Sequence, residues 1–178
     1  MKKLILFFFL SLTTLSFSQD KKSTKTGEIT FEASVPSFEE VKATNKGVSC
    51  ILNTKTGEIA ALALVKGFRF KVALMEEHFN ENYIESNKYP KAIFKGKIEN
   101  FDSSKLSSAA QKFTIKGTLE IHGKTKDIIS IAYIKKTGNS IDITNEFDVN
   151  VDDFNIEIPN VVSKKLSKKV NVKCHYVL

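Results

Sequence analysis

The stretch His78–Ile98, HFNENYIESNKYPKAIFKGKI, and the block Lys112–Ile131, KFTIKGTLEIHGKTKDIISI, decide how the rest of the chain is read. The first opens as a polar segment with aromatic anchors and stops at Tyr89-Pro90, because a residue before proline is pushed into extended geometry. A strand follows at once, with Ala92, Phe94, Gly96 and Ile98 alternating against Ile93, Lys95, Lys97 and Glu99. In the second block Phe113, Ile115, Gly117, Leu119 and Ile121 alternate with Lys112, Thr114, Lys116, Thr118 and Glu120. A period of two is the strand signature, one set on each face. His122-Gly123-Lys124-Thr125 reads as a tight turn into a further strand, 128–134.

The same period runs outward in both directions. Ile29, Phe31, Ala33 and Val35 form an alternating row that Pro36 ends, and Val48, Cys50 and Leu52 form the next. The segment 53–57, NTKTG, has the polar, glycine-closed composition of a hairpin loop. Residues 58–66 are apolar on both faces, as in a strand covered on its outer side too. After a turn at 137–140, the row Ile141, Ile143, Asn145, Phe147, Val149, Val151 follows, and Val170, Val172, Cys174, Tyr176, Leu178 closes the chain. One helical stretch is predicted, Glu76 to Glu85, with Phe79, Tyr83 and Ile84 seated on the barrel. The pattern therefore gives an all-β protein of eight antiparallel strands with one short helix between strands 3 and 4. Exposed edges invite aggregation, and consecutive short turns favour an up-and-down barrel over a two-sheet sandwich.

The ends and the bulk composition bound the rest. Lys2 and Lys3, the apolar run 4–10 and Ser16-Phe17-Ser18 have the order of a secretory signal peptide over residues 1–18, cleaved after Ser18. Residues 19–27, QDKKSTKTG, are polar and without period, so a disordered leader is expected, followed by one barrel domain over 28–178. Without Lys2 and Lys3 the formal charge falls from +7 to +5, ordinary for an exported protein and compatible with anionic lipid heads. Arg69 is the sole arginine, which argues against nucleic acid, where bidentate arginine contacts dominate. Cys50 and Cys174 fall on inward positions near opposite ends of the chain; they are two buried free thiols, or one disulfide if their strands are neighbours.

The inward row defines the candidate lining: Phe31, Val48, Leu52, Phe94, Gly96, Ile98, Phe113, Ile115, Gly117, Leu119, Ile143, Asn145, Phe147, Val149, Val172 and Tyr176. Such a row fills a solid core or surrounds a cavity. Gly96 and Gly117 contribute no volume at mid-strand and favour a space, or else mark bulges. Asn145 is the polar member of its row and must be hydrogen-bonded, to the backbone, to water or to the head of a bound amphiphile. Lys164, Lys165, Lys168 and Lys169 precede the last strand, as a solvated charge run or as a cluster at a cavity mouth.

Catalytic signatures are missing. His78, His122 and His175 stand apart from one another, and Cys174 and His175 point to opposite strand faces. Gly123-Lys124-Thr125 imitates the end of a phosphate-binding loop, yet Thr118 stands where its first glycine belongs and a strand follows. Asp152-Asp153 with Asn155 is poor support for a cation site. No cofactor is implied and no enzyme activity is expected: a barrel that transforms a lipid needs an inward acid, histidine or nucleophile, and none lies in register.

The passage from His78 through Tyr89-Pro90 to Phe94-Lys95-Gly96, the Gly117-Thr118-Leu119…His122-Gly123-Lys124-Thr125 hairpin and Asp153-Phe154-Asn155-Ile156 resemble the YceI-like family, along essentially the whole mature chain. The family usually has Gly where Asn155 stands. The resemblance implies a lipocalin-like barrel of the periplasm or extracellular space. Its ligand would be a long apolar molecule, a polyisoprenoid, a quinone precursor or a fatty-acid-like amphiphile, acquired through transient contact with a membrane surface. The oligomeric state, homodimer included, stays open. The rival expectation is a structural or stress-response barrel with a filled core that acts through a protein partner.

Overall fold

The computed structural model describes residues 20–178, so the expected signal peptide lies outside the described residues. Eight long strands make a closed antiparallel ring: β1 (Lys21–Ser34), β2 (Lys42–Asn53), β3 (Glu58–Leu64), β5 (Lys91–Ile98), β6 (Gln111–Ile121), β7 (Lys124–Thr137), β8 (Ser140–Asn150) and β9 (Leu166–Val177). Each pairs with the next in the chain, and β1 pairs with both β2 and β9, which shuts the barrel. A two-residue strand β4 (Arg69–Phe70) adds to the mouth-side end of β2 through Ala43↔Phe70 and Thr44↔Arg69.

The expected disordered leader is corrected by this pairing. Residues 21–27 belong to β1 and face β2 in the register Lys21↔Asn53 to Thr24↔Cys50. A polar strand lacks the apolar alternation that reveals strands in sequence, but its peptide groups still gain ladder partners by closing the ring. A register shift on either side of Gly27 then carries β1 into its apolar half.

The helical segment also differs from expectation. The α-helix, α1, spans Ala73–His78, and a π-helical turn, Phe79–Tyr83, continues it. The bond Ile84 N to Phe79 O, five residues apart at 3.0 Å, defines the wider turn. The spacing Phe79, Tyr83, Ile84 explains why: an α-helix cannot turn all three to one side, whereas the widened turn presents each of them to the barrel. Glu76 anchors the start of this segment, accepting from Phe70 N at 3.1 Å and Arg69 Nη1 at 2.8 Å.

The lower half of the bore is filled. Val48, Leu52, Ile98, Ile134 and Ile143 have no exposed surface, and Ile141 and Leu178 pack with them. The connection 99–110 covers this end, with Leu106 buried and the rings of Phe101 and Phe113 5.9 Å apart.

Gly96 and Gly117 face each other directly across β5 and β6. A Cβ at Gly117 would lie 2.3 Å from Lys95 O and 2.6 Å from Gly96 Cα, and one at Gly96 would lie 2.6 Å from Lys116 O. The Phe94 ring also lies over both, with Cζ 2.7 and 2.8 Å from the two Cβ positions. The pair therefore seats a phenyl ring against close-set backbones and does not open free space. Gly117→Ala should cost about 2–3 kcal/mol, because backbone must move to admit the methyl. Gly47→Ala, whose Cβ meets nothing nearer than 3.6 Å, should change stability by less than about 0.5 kcal/mol. Denaturant unfolding of the two variants checks the contrast.

Candidate functional site

Above the filled half the bore opens into a cavity of about 490 Å³, within the usual range for small-molecule sites. Its floor is formed by Ile29, Ile59, Ile115, Ile143 and Tyr176, and its walls rise to Ala33, Val65, Ile121 and Val151. The change from filled to hollow follows side-chain size. Ala33, Ala61, Ala63 and Ala92 line the upper walls, where the lower half has leucine, isoleucine and valine.

Ten of the sixteen expected lining residues face this space: Phe31, Phe94, Ile115, Leu119, Ile143, Asn145, Phe147, Val149, Val172 and Tyr176. The other six do not. Val48, Leu52 and Ile98 lie in the filled half, Phe113 packs on Phe101, and Gly96 and Gly117 lie beneath the Phe94 ring. The inward direction of all six follows the strand alternation. Alternation carries no information about depth along the bore, and depth separates plug from cavity.

Sequence reading missed the loop-borne wall. Phe31, Phe68, Phe70 and Phe79 form an aromatic cluster with centroids 5.2–6.0 Å apart, joining β1, β4 and the π turn along one side of the cavity. Phe154, Ile156 and Val162 come from the long β8–β9 connection, which has no periodicity to reveal them. From β3 into the 3-10 turn that follows it, Ile59, Ala61, Ala63 and Val65 turn inward, a row that apolar neighbours on both faces concealed in the sequence.

His122 ties the loops of the open end together. Its Nδ1 donates to Phe154 O at 3.0 Å, its Nε2 meets Glu85 Oε2 at 2.9 Å, and the Tyr89 ring packs edge-on at 4.5 Å. A carbonyl oxygen only accepts, so Nδ1 carries hydrogen. One side chain at the β6–β7 turn thus fixes both the segment after the π turn and the 3-10 turn Val151–Phe154.

Polar groups on the cavity wall fall into two levels. Glu39 and Lys165 come from loops, His78 from the end of α1 and Ser167 from the start of β9, all at the open end. Deeper down are Asn145, Cys174 and Tyr176. Asn145 Nδ2 donates to Ile131 O at 2.8 Å and Ser130 Oγ at 3.1 Å, so the backbone supplies the partner its burial requires. Of the four lysines singled out earlier, Lys168 and Lys169 belong to β9 and pair with Asp152 and Asp148 at 2.9 and 2.8 Å. Lys165 reaches the mouth. Asp152 is taken up by Lys168, and among the described residues no group of three or more His, Cys, Asp and Glu is set to hold a metal.

Cys50 and Cys174 are buried free thiols on β2 and β9, strands separated by β1. Burial pushes the Cys50 thiol up from 9.0 to about 12, with the Cys174 thiolate opposing ionisation further. Burial pushes Cys174 up to about 11, and the neighbouring Tyr176 phenol pulls the other way. Burial, and then Cys174, also raises the Tyr176 phenol. At neutral pH the deep wall is therefore uncharged.

A family profile described as YceI-like domain matches residues 13–178. A search of curated proteins finds no match. Among solved structures, a polyisoprenoid binding domain from Saccharophagus degradans, described as implicated in plant cell wall breakdown, superposes with a TM-score of 0.75 at 15% identity, covering 89% of this chain and 97% of its own. Burkholderia cenocepacia BcnA gives 0.71 at 15% identity over 85% and 96%. A Campylobacter jejuni YCEI protein gives 0.57 at 17% identity over 94% and 88%. At these identities the likeness is one of fold.

The raised thiols make a pH prediction. The folded chain holds both protons more tightly than the unfolded chain, so their effect on stability is level below about pH 8. Stability then falls as pH rises from 9.0 towards about 11 and 12, because only the unfolded thiols ionise in that window. The loss is at most about 1.4 kcal/mol per pH unit for each thiol. A Cys50→Ala/Cys174→Ala variant should lack this component, read as the difference between two denaturation series from pH 7 to 10.5.

Proposed function

This chain belongs to the YceI-like domain family, and on that premise we propose that it binds and carries a long apolar molecule in the upper half of its barrel. One observation carries the reading: an apolar cavity of about 490 Å³ that opens at one end of a rigid closed ring. Burying a hydrocarbon chain there supplies the affinity, about 0.8 kcal/mol for each methylene removed from water. A polyisoprenoid is the first candidate, in keeping with the name of the Saccharophagus degradans polyisoprenoid binding domain. Fatty-acid-like amphiphiles and quinone precursors fit the same wall.

The carrier reading extends to place. The order of charge, apolar run and small residues at the N-terminus supports export, so the barrel would work in the periplasm or outside the cell. No helix among the described residues is long and apolar enough to cross a membrane. The rival idea, a filled barrel acting through a protein partner, fits the lower half of the bore and leaves the upper half without a purpose.

Native mass spectrometry of protein purified from its own host, with organic extraction of what co-purifies, tests the proposal. An adduct with the mass and solubility of a long-chain lipid is expected. Ala61→Phe adds a ring to the cavity wall at a position paired with Cys50 and Phe94. That variant should remain folded by circular dichroism and lose the adduct at least tenfold. Full retention of lipid by folded Ala61→Phe protein would contradict the assignment of the cavity as the site.

A further inference from the structure

The depth at which polar groups recur on the cavity wall bears on which end of a guest enters first. Asn145 on β8 pairs across the sheet with Cys174 on β9, and Ile143 pairs with Tyr176 one step deeper. All four side chains line the cavity. Diagonal neighbours on one sheet face lie about 7–8 Å apart, within reach of a tyrosine and an asparagine that share one small group.

The donor and acceptor inventory of this level is specific. Ile131 O can only accept, so the atom that meets it at 2.8 Å is the amide nitrogen, and the orientation of Asn145 is fixed. Its second hydrogen goes to Ser130 Oγ at 3.1 Å. Both donors are thereby used, and among the described residues Oδ1 accepts no hydrogen bond. What Asn145 offers the cavity is an acceptor. Tyr176 offers a hydroxyl, a donor that burial keeps protonated.

We infer that the guest enters head first and that its head is uncharged, both donates and accepts a hydrogen bond, and sits between Asn145 and Tyr176, a primary alcohol being the simplest such group. This rests on the lipid-carrier reading and deepens it. A hydrocarbon end pressed against this level would leave Oδ1 dry and unpaired and the phenol with only the Cys174 sulfur, a weak acceptor. An ionised carboxylate or phosphate would lose its water with no positive charge near it, since the charged lining groups Glu39 and Lys165 stand at the mouth. A head left at the mouth would meet water-exposed groups, which discriminate little.

Displacement of a bound fluorescent polyene fatty acid by hexadecan-1-ol, methyl hexadecyl ether and hexadecanoate at pH 7.5 tests this. The alcohol donates and accepts, the ether only accepts, and the carboxylate is charged. The wild type should prefer the alcohol to the ether by roughly tenfold, the effect of one buried hydrogen bond, and should bind hexadecanoate more weakly than the alcohol. Asn145→Leu should abolish the preference by weakening alcohol binding alone. Tyr176→Phe, which removes one oxygen from an otherwise intact ring, should weaken alcohol and ether by a similar factor. Equal binding of alcohol and ether by the wild type, hexadecanoate binding as tight as the alcohol, or an unchanged preference in folded Asn145→Leu protein would overturn the inference while leaving the carrier reading intact. If the protein binds neither the probe nor any of the three ligands, the carrier reading fails and the inference with it.

Discussion

Ring closure is the constraint on which the rest of this structure depends. β1 pairs with β2 on one side and, over Glu28–Ser34, with β9 on the other, so every strand of the ring has a neighbour on both sides. Once eight strands are closed, the width of the bore is set within narrow limits, and each residue faces either the bore or the outside. Only side-chain volume remains to decide whether a given level is solid or hollow. Val48, Leu52, Ile98 and Ile134 make the lower levels solid; alanines at 33, 61, 63 and 92 leave the upper levels open. One architecture thus provides a packed base for stability and a cavity above it.

The two ends of the barrel follow from the same division. At the base, the connection 99–110 lies over a filled core and needs only ordinary packing through Leu106 and Phe101. At the mouth, the loops have no core beneath them and must hold one another. Four phenyl rings lock the π turn and β4 to β1, and His122 links the segment at Glu85 to the backbone at Phe154. These contacts give the mouth a defined shape without filling the space below it.

This accounts for what could be read in the sequence. Alternation identified the strands with an apolar row, the turns at Gly57, His122-Gly123 and Gly138, and an all-β barrel. It missed 21–27, because a polar strand that pairs through its backbone shows no contrast between faces. It placed the helix too late, since Phe79, Tyr83 and Ile84 were fitted to α-helical geometry when the chain adopts a π turn. Direction was legible and depth was not. Val48 and Phe147 look alike in their rows, yet one lies in the plug and the other lines the cavity. The glycine pair misled for a related reason: missing side-chain volume at Gly96 and Gly117 is taken up by the Phe94 ring, a contact that no spacing rule encodes.

Asn145 breaks the inward apolar row of β8 where the sheet itself has no need of an amide. Isoleucine or valine there would continue the row of Ile141, Ile143, Phe147 and Val149 and would bury no polar group. The amide spends its two hydrogens on β7, a strand already joined to β8 by a full ladder, so those bonds add little that the sheet lacks. Local departures from a consistent pattern tend to persist where they serve binding. An apolar wall supplies affinity in proportion to the area it covers and tells one hydrocarbon from another only weakly. The chemical identity of the guest has to be read by the few groups that can be left unsatisfied, and in this barrel those groups lie at the bottom of the cavity.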